Sequence, residues 1–399
     1  MIHKNILYNN FAGHKFEVSK AEGSLVYDAN GKEYIDFTSG WNVANLGWNH
    51  PEIKAALQEQ LERGTAISFW HSFDIQNRYA EALTSSLPSE LNTCIRATSG
   101  TEAVEVGIKV ARAYTGRKTI IGFKETYHGQ LFASMALGTP ESHLGSINPM
   151  VPHIEQVTYP TTADELESFL QTLEARIAKG DVAAVVSEPD IITGWGTVLV
   201  TAEGYLKRTQ ALLEKYGVLL IVDEVGSGFS RTGTLFGIEY EEVVPDILIL
   251  GKAIANGSGT IATTVIKEHL SEPAATTANL TSTFGWNPLA AAAALKTLEI
   301  HKRDAMWEEA NQKGIVLTEA LKKHQESGSI LSIRGRGLEI GAQMKDRNVY
   351  ESVIRKALEH GLILIGDGED TLQLMPSLTI SAAELDKAIG IVNSSLSAN

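Results

Sequence analysis

The sequence predicts an α/β protein with a mostly parallel central sheet, helices on both faces, and a smaller α+β domain. Short, continuous apolar runs stop abruptly at charged residues, as at 218–222 and 247–250. Such runs are typical of strands buried on both faces, as the strands of parallel sheets usually are. They alternate with amphipathic helical segments, and the pattern changes after about residue 300.

The first part of the chain predicts a hairpin followed by helices. Residues 25–27 and 33–37 read as two strands, and the Asn30-Gly31 pair supplies the positive φ of the turn. Residues 1–20 are mixed, and they predict either a loose arm or a helix packed on a partner. The Gly-, Asn- and Trp-rich segment 38–50 predicts a loop. Helices are expected at 51–63, where Pro51 opens the first turn, and at 74–86.

From residue 94 onward, strands and helices alternate. The predicted strands are 94–97, 119–123, 182–187, 218–222, 247–250 and 261–266, and the predicted helices are 102–114, 202–216 and 288–303. The C-terminal part predicts an antiparallel strand pair or a bent strand over 330–344, a helix over 349–360, strands at 362–365 and 372–374, and a helix over 382–395. We therefore expect a large domain over 45–300 and a small domain built from 1–44 and 301–399.

Composition excludes several classes of partner. The 399 residues carry a formal net charge of −14 at pH 7, which disfavours nucleic acid and anionic lipid. Cys94 is the only cysteine, which favours a reducing compartment. We find no apolar stretch near the roughly 18 residues that a membrane span needs, and no apolar signal core at the N-terminus. The expected protein is cytoplasmic, with no nucleic acid or membrane partner.

Charged residues follow two of the predicted strands. Asp223 ends the run 218–222, and Gly251-Lys252 follows the run 247–250. Ligands of open α/β sheets bind at the carboxyl ends of the strands. An acid and a lysine there suit pyridoxal 5'-phosphate, because lysine holds its aldehyde as a Schiff base while an acid pairs with the protonated pyridine nitrogen. A desolvated lysine also has a lowered pKa and becomes a nucleophile.

Each of these residues also has a plainer interpretation. Lys252 alone could be a solvated surface lysine, and Asp223 could cap a helix or pair with Arg231. Ser99-Gly100-Thr101, between a strand and a helix, could bind phosphate at the helix N-terminus or form an ordinary helix cap. Tyr127 could stack on a cofactor ring or lie in the core. His128 is not expected to bind metal, since the eleven histidines show no zinc-ligand spacing.

Several ordered motifs nevertheless resemble those of class III aminotransferases, which are fold type I pyridoxal-phosphate enzymes. The resemblance runs from about residue 20 to the C-terminus. It rests on SGTEAVEVGIKVARAYTGR (99–117), YHG (127–129), EP (188–189), DEVGSGFSRTG (223–233), PD (245–246), LGK (250–252) and TSTFGWNPLAAAAA (281–294).

This resemblance implies a role for each matched residue. Lys252 would hold the cofactor aldehyde and then move the proton, and Asp223 would keep the pyridine nitrogen protonated. The remaining cofactor-binding residues would be Ser99, Gly100, Thr101, Tyr127, His128, Glu188, Val225 and Thr283. Tyr127 and Val225 would cover opposite faces of the ring. Thr283 would reach the phosphate in a neighbouring subunit, which implies a homodimer with active sites at the subunit interface. Arg334 is expected to be structural.

One segment departs from the family pattern. Many members carry Arg-Leu-x-Pro-Pro-Leu near the C-terminus, and that arginine clamps a substrate carboxylate. Here Gln373 stands in its place and Ser377 replaces a proline. Glutamine supplies no charge. We therefore expect an amine that is not flanked by an arginine-bound carboxylate, such as an ω-amine, an amino-sugar-like compound or a β-amino acid. Trp41, Trp70 and Tyr127 could line a more apolar pocket, or be ordinary core and surface residues.

The predicted reaction is transfer of an amino group between an amine or amino acid and a keto acid or aldehyde. An intramolecular aminomutase or an amino-acid racemase would use the same lysine, aspartate and phosphate site. A non-catalytic cofactor-binding scaffold is a third possibility, which the presence of both Lys252 and Asp223 disfavours.

Overall fold

The structure is a computed structural model that describes residues 17–68, 70–139 and 151–397. The strands are β1 Val18–Glu22, β2 Leu25–Asp28, β3 Glu33–Asp36, β4 Leu91–Ala97, β5 Thr119–Phe123, β6 Ile154–Val157, β7 Val182–Ser187, β8 Ile191–Ile192, β9 Leu199–Val200, β10 Leu219–Asp223, β11 Ile247–Leu250, β12 Ala262–Lys267, β13 Ile330–Arg336, β14 Glu339–Met344, β15 Leu362–Ile363, β16 Ile365–Gly366 and β17 Thr371–Leu374. The α-helices are α1 Pro51–Glu62, α2 Asp74–Thr84, α3 Gly100–Thr115, α4 Phe132–Ala136, α5 Ala163–Ile177, α6 Tyr205–Lys215, α7 Ser271–Thr277, α8 Pro288–Arg303, α9 Met306–Glu326, α10 Arg347–Glu359 and α11 Ala382–Ser397.

The central sheet has seven strands in the order β4-β12-β11-β10-β7-β5-β6. Neighbouring strands from β11 to β6 pair in parallel, whereas β12 is antiparallel to both β11 and β4. The predicted mostly parallel sheet is confirmed. The antiparallel direction of β12 has a simple cause. Only residues 251–261 join it to β11, and a parallel crossover normally needs a dozen or more residues.

The central strands are buried on both faces, as their apolar runs predict. Ile221 and Ile249 belong to the apolar layer beneath α3, while Val222 and Leu250 belong to the layer on the opposite face. Successive side chains of a strand point to opposite faces, so each strand contributes to both layers. Gly107 of α3 lets this helix approach the sheet closely, since a Cβ there would lie 3.2 Å from Ile249 Cδ1.

A second sheet joins the two ends of the chain. Its order is β1-β2-β3-β15, and β15 pairs in parallel with β3. The predicted hairpin is confirmed as β2 and β3, with Gly31 at φ 80° in the turn. Asp28 Oδ1 steadies that turn by accepting from the Asn30 and Lys32 N–H groups. A third sheet has the order β13-β14-β17-β16, and β8 pairs with β9. The domain boundaries at 44/45 and 300/301 stay predictions.

Some predicted elements differ from the observed ones. The helix expected from residue 202 begins at Tyr205, after Gly204 at φ 76°. The expected strand 362–365 is divided between β15 and β16, which belong to different sheets. The loop expected at 38–50 contains a short helical turn, Ser39–Asn42. The predicted arm or helix at 1–20 lies outside the described residues up to residue 16. Across the described ranges, no helix is long and apolar enough to span a membrane.

Candidate active site

Asp223 and Lys252 lie at the same edge of the central sheet. Asp223 is the last residue of β10, and β11, its parallel neighbour, leads through Gly251 to Lys252. Lys252 opens a one-turn 3-10 helix, Lys252–Ala255. The carboxyl ends of parallel strands meet at one edge of a sheet. Both residues lie at that edge because each stands at, or directly after, the end of its strand.

Asp223 is fixed by two hydrogen bonds. Its Oδ2 lies 2.6 Å from Nδ1 of the buried His128, and its Oδ1 accepts from the Val225 N–H at 2.9 Å. Burial by itself would lower the pKa of His128, but the hydrogen bond and charge of Asp223, together with the charge of Glu188, outweigh it and raise that pKa. Asp223 therefore faces a histidine that favours the cationic form.

The alternative pairing of Asp223 with Arg231 is not observed. The buried guanidinium of Arg231 donates to the carbonyls of Leu338 and Pro376 and to Asn45 Oδ1, at 2.9, 2.8 and 2.8 Å. Arg231 thus ties the segment after β10 to the C-terminal part of the chain. Glu224, the residue after Asp223, accepts from the backbone N–H groups of Gly237 and Ile238. It is a loop anchor and not a member of the site.

Lys252 occupies a strained and partly buried position. Its backbone has φ 48°, a left-handed conformation that non-glycine residues adopt rarely and that clusters at functional sites. Burial lowers the pKa of its amine, while the charges of Glu188, Asp223 and Glu339 oppose that shift. Within the described part of the chain, no hydrogen bond engages the Lys252 side chain. The amine is therefore positioned to act as a nucleophile.

The N-terminus of α3 lies directly beside Lys252. A Cβ on Gly100 would sit 3.0 Å from Val225 Cγ1, and one on Gly251 would sit 3.5 Å from Gly100 Cα. The N–H groups of Gly100 and Thr101 precede the first intrahelical bond, and they donate to no other described residue. Free N–H groups at a helix N-terminus are suited to bind phosphate.

The side chains of Ser99 and Thr101 are already engaged. Ser99 Oγ accepts from the Glu102 N–H, so the helix-cap interpretation holds for this residue. Thr101 Oγ1 lies 2.8 Å from Ser134 Oγ, and Gly129 packs against it so closely that any Cβ there would overlap Thr101. The loop after Tyr127 is thereby held on the first turn of α3.

Tyr127 is 38% exposed, so the interpretation as a core tyrosine is wrong. Its ring makes an edge contact with Trp195, with centroids 5.2 Å apart and an interplanar angle of 82°. Trp195 itself has φ 55° and donates from Nε1 to the Thr126 carbonyl at 2.9 Å. Sequence reasoning missed Trp195, although its place between two glycines was a signal.

Glu188 lies in the same cluster and is buried. Its Oε2 accepts from the Thr193 N–H and hydroxyl at 2.7 and 2.8 Å, while its Oε1 has no partner among the described residues. Burial raises the pKa of Glu188 to about 7, against the opposing influence of His128. Glu188 can therefore be neutral or charged near neutral pH.

Within the described chain, no hydrogen bond joins Thr283 to the site residues described above. It is exposed, next to Phe284, which is 60% exposed. The preceding Ser282 hydrogen-bonds the Glu102 carboxylate in the first turn of α3. The segment thus lies beside the helix N-terminus but points Thr283 to the surface of the single chain.

Three residues that the sequence did not connect form a hydrogen-bonded group whose charge acts on Lys252. The buried Glu339 of β14 accepts from Gln373 Nε2 at 2.5 Å and from Asn42 Nδ2 at 2.7 Å. Burial raises the pKa of Glu339, and the charges of Arg231 and Lys252 oppose that shift. The sequence identified Gln373 by its position, but it did not identify Glu339 as the partner of Gln373. A glutamate in a strand that is otherwise buried was the available signal.

These residues fit pyridoxal 5'-phosphate. The site offers an amine for the aldehyde, a carboxylate for the ring nitrogen, free N–H groups for the phosphate, and Val225 and Tyr127 as neighbours for the ring. Within the described ranges, no group of histidine, cysteine and acidic side chains could hold a metal ion.

Comparison with known proteins gives the same answer. The family model for aminotransferase class-III matches residues 8–396. An acetylornithine aminotransferase of Listeria innocua is 37% identical over 396 residues, which cover 98% of this chain and 96% of that protein.

Two solved structures share the fold. An (S)-enantioselective omega-transaminase from Thermomicrobium roseum has a TM-score of 0.90 at 28% identity, covering 96% of this chain and 93% of that one. The ornithine aminotransferase from Toxoplasma gondii, described with partial occupancy of pyridoxal phosphate at its active site, has a TM-score of 0.90 at 28% identity, covering 99% and 93%. The predicted fold type I architecture and cofactor are confirmed. The chain belongs to the class III aminotransferases and is a pyridoxal-phosphate-dependent transaminase.

Proposed function

We propose that Lys252 carries the cofactor aldehyde and moves the substrate proton, and that Asp223 pairs with the ring nitrogen. The observation that carries this proposal is the meeting of Lys252, Asp223 and the N-terminus of α3 at one sheet edge. When bound, the cofactor supplies the electron sink that makes the substrate Cα–H acidic. Lys252, freed by the incoming amine, acts first as the base for that proton and then as the acid that delivers it.

The surrounding residues set the charges of this pair. His128 holds Asp223 in place through the 2.6 Å hydrogen bond. The free N–H groups of Gly100 and Thr101 would bind the phosphate, and Val225 and Tyr127 would pack against the ring. Glu188 stays beside Lys252 as a carboxyl able to take or release a proton, because its pKa is raised to about 7.

The amine donor is one whose carboxylate, if it has one, is not clamped by an arginine. Gln373 replaces the family's arginine, and its only donor group is used on Glu339. The nearby arginines are also engaged, since Arg334 donates to the Thr197 and Val198 carbonyls and Arg336 pairs with Asp190. The Listeria innocua relative is named for acetylornithine, which carries a carboxylate. We expect acetylornithine to be a poor donor here.

The roles are tested by borohydride reduction followed by peptide mapping. Reduction of the holoenzyme should place a pyridoxyl group on Lys252, and Lys252→Ala should lose covalent attachment while keeping its circular dichroism spectrum. A reduced adduct on another lysine, or none, would refute the assignment. A requirement for a carbonyl acceptor separates a transaminase from an aminomutase or a racemase, which turn over with one substrate.

We further propose that the enzyme is a cytoplasmic homodimer with active sites at the subunit interface. The support is the exposed position of Thr283 and the large apolar side chains exposed near it and beside the cofactor loop, namely Phe284, Leu131 and Phe132. Sedimentation equilibrium should give twice the chain mass for the active species. A fully active monomer would contradict the assignment of Thr283 to a partner's site.

A further inference from the structure

A buried group of side chains whose charge acts on Lys252 presents unpaired hydrogen-bond acceptors. Glu339, Asn42 and Gln373 are all buried, with both amide NH₂ groups directed at the glutamate carboxylate. This arrangement leaves Asn42 Oδ1 and Gln373 Oε1 without a partner among the described residues. Buried polar atoms are rarely left unpaired, and each one that is needs an explanation.

This acceptor cluster, defined as Asn42, Glu339 and Gln373, is continuous with the cofactor site. Asn42 Nδ2 also donates to the Gly226 carbonyl at 3.1 Å, and Gly226 directly follows Val225. Gly226 packs against Thr193, the residue that holds Glu188. The charge of Glu339 is also close enough to act on the Lys252 amine.

Among the described residues, no cation is hydrogen-bonded to the cluster. The charge of Arg231 acts on Glu339, but the two NH₂ groups of Arg231 donate to Asn45 and to the Leu338 and Pro376 carbonyls. Glu339 is therefore held by neutral amides alone. A carboxylate held in this way, together with the two unpaired amide oxygens of the residues that hold it, repels a substrate carboxylate and attracts a group rich in N–H donors.

We propose that the acceptor cluster selects amine donors that carry a second cationic group, an ammonium or a guanidinium, at their far end. This inference rests on the proposed function, since it concerns the substrate of the same site. The reacting amine is delivered to the Lys252 side, and the distal cation satisfies Glu339 together with Asn42 Oδ1 and Gln373 Oε1. Gln373 is then a specificity-determining residue because of the acceptor it presents, and not as a weakened arginine.

The test uses the holoenzyme and measures the amine half-reaction from the change in cofactor absorbance. The donors are α,ω-diamines, n-alkylamines and ω-amino acids matched in chain length. We expect kcat/KM to be at least ~10-fold higher for the best diamine than for its matched alkylamine, and lower still for the matched ω-amino acid. In Glu339→Gln, the diamine-to-alkylamine ratio should fall by about 10-fold or more, mainly through KM.

A second variant guards against misfolding of the first. Gln373→Arg places a cation beside Glu339 and should reverse the order of diamine and ω-amino acid. Ratios that stay unchanged in both variants, or a wild-type enzyme that prefers the ω-amino acid, would overturn this inference while leaving the transaminase intact. If no donor changes the cofactor spectrum, the proposed function fails as well.

Discussion

The charges of two buried carboxylates, Asp223 and Glu339, act on Lys252, and the two are held by different kinds of partner. Asp223 lies against His128, a partner that can carry positive charge, and against a backbone N–H. Glu339 lies against the amides of Asn42 and Gln373, which cannot. Both carboxylates are nearly inaccessible, so burial does not distinguish them.

The difference shows that the partners of a buried acid decide its role. A carboxylate bonded to a histidine has a partner that can carry positive charge, and it can stabilise a protonated ring nitrogen. Among the described residues, the side chains bonded to Glu339 are neutral amides, and the charges of Arg231 and Lys252 act on it without a hydrogen bond. We therefore assign Asp223 to the chemistry common to all substrates and Glu339 to the choice among them.

The largest expected effect comes from Asp223→Asn. The amide cannot keep the ring nitrogen protonated, so the rate of the amine half-reaction should fall by about 10³-fold. The fall should be the same for every amine donor, because the ring is common to all of them. Stopped-flow measurement of the cofactor absorbance gives the rate.

Glu339→Gln is the matched comparison for that variant, since both exchange a buried carboxylate for its amide. Its loss should depend on the donor, being large for diamines. If both variants lost the same activity with every donor, the distinction between the roles of Asp223 and Glu339 would be removed.

A middle effect is expected for Glu188→Gln in the cofactor-free protein. The pKa of Glu188 is raised from 4.5 to about 7 by burial, so the folded state keeps a proton that the unfolded state releases. The contribution of Glu188 to the free energy of unfolding therefore falls as pH rises through that window, and stays low above it. The glutamine variant is free of this loss. Its free energy of unfolding, measured against that of the wild type, should therefore be higher at pH 8 than at pH 4 by about 1–3 kcal/mol.

Urea unfolding of wild type and variant at several pH values measures this difference. A difference between the two proteins that is constant with pH would show that Glu188 has the same pKa in the folded and unfolded states, and it would contradict this prediction.

The smallest expected effect is for Gly100→Ala. The new Cβ would lie 3.0 and 3.1 Å from the two methyl carbons of Val225, so Val225 or the helix start must shift by a few tenths of an ångström. We expect about a 10-fold weaker affinity for pyridoxal phosphate, measured by equilibrium dialysis.

The control for that substitution is Gly390→Ala in α11. A Cβ there meets nothing within 4 Å, and alanine has the higher helix propensity, so cofactor affinity should be unaffected. Full cofactor affinity in Gly100→Ala would show that the contact between α3 and Val225 does not shape the phosphate site.

Much of this architecture follows from local patterns in the sequence. The apolar runs before Asp223 and Lys252 are long enough and uniform enough to be central strands, and a central strand must end at a sheet edge. The strand-to-helix passage at Ser99-Gly100-Thr101 likewise predicts the start of α3. These features depend on side-chain periodicity and backbone preferences within about ten residues, which a single sequence displays directly.

Tertiary structure alone decided which distant residues meet. The antiparallel direction of β12 and the pairing of β3 with β15 depend on how the chain is connected in space. The bond between His128 and Asp223 joins residues from two different strand ends, and Glu339 draws its partners from opposite ends of the chain. Such contacts leave no periodic trace, since they depend on long-range packing rather than on neighbours in sequence, and they set the charge balance around Lys252.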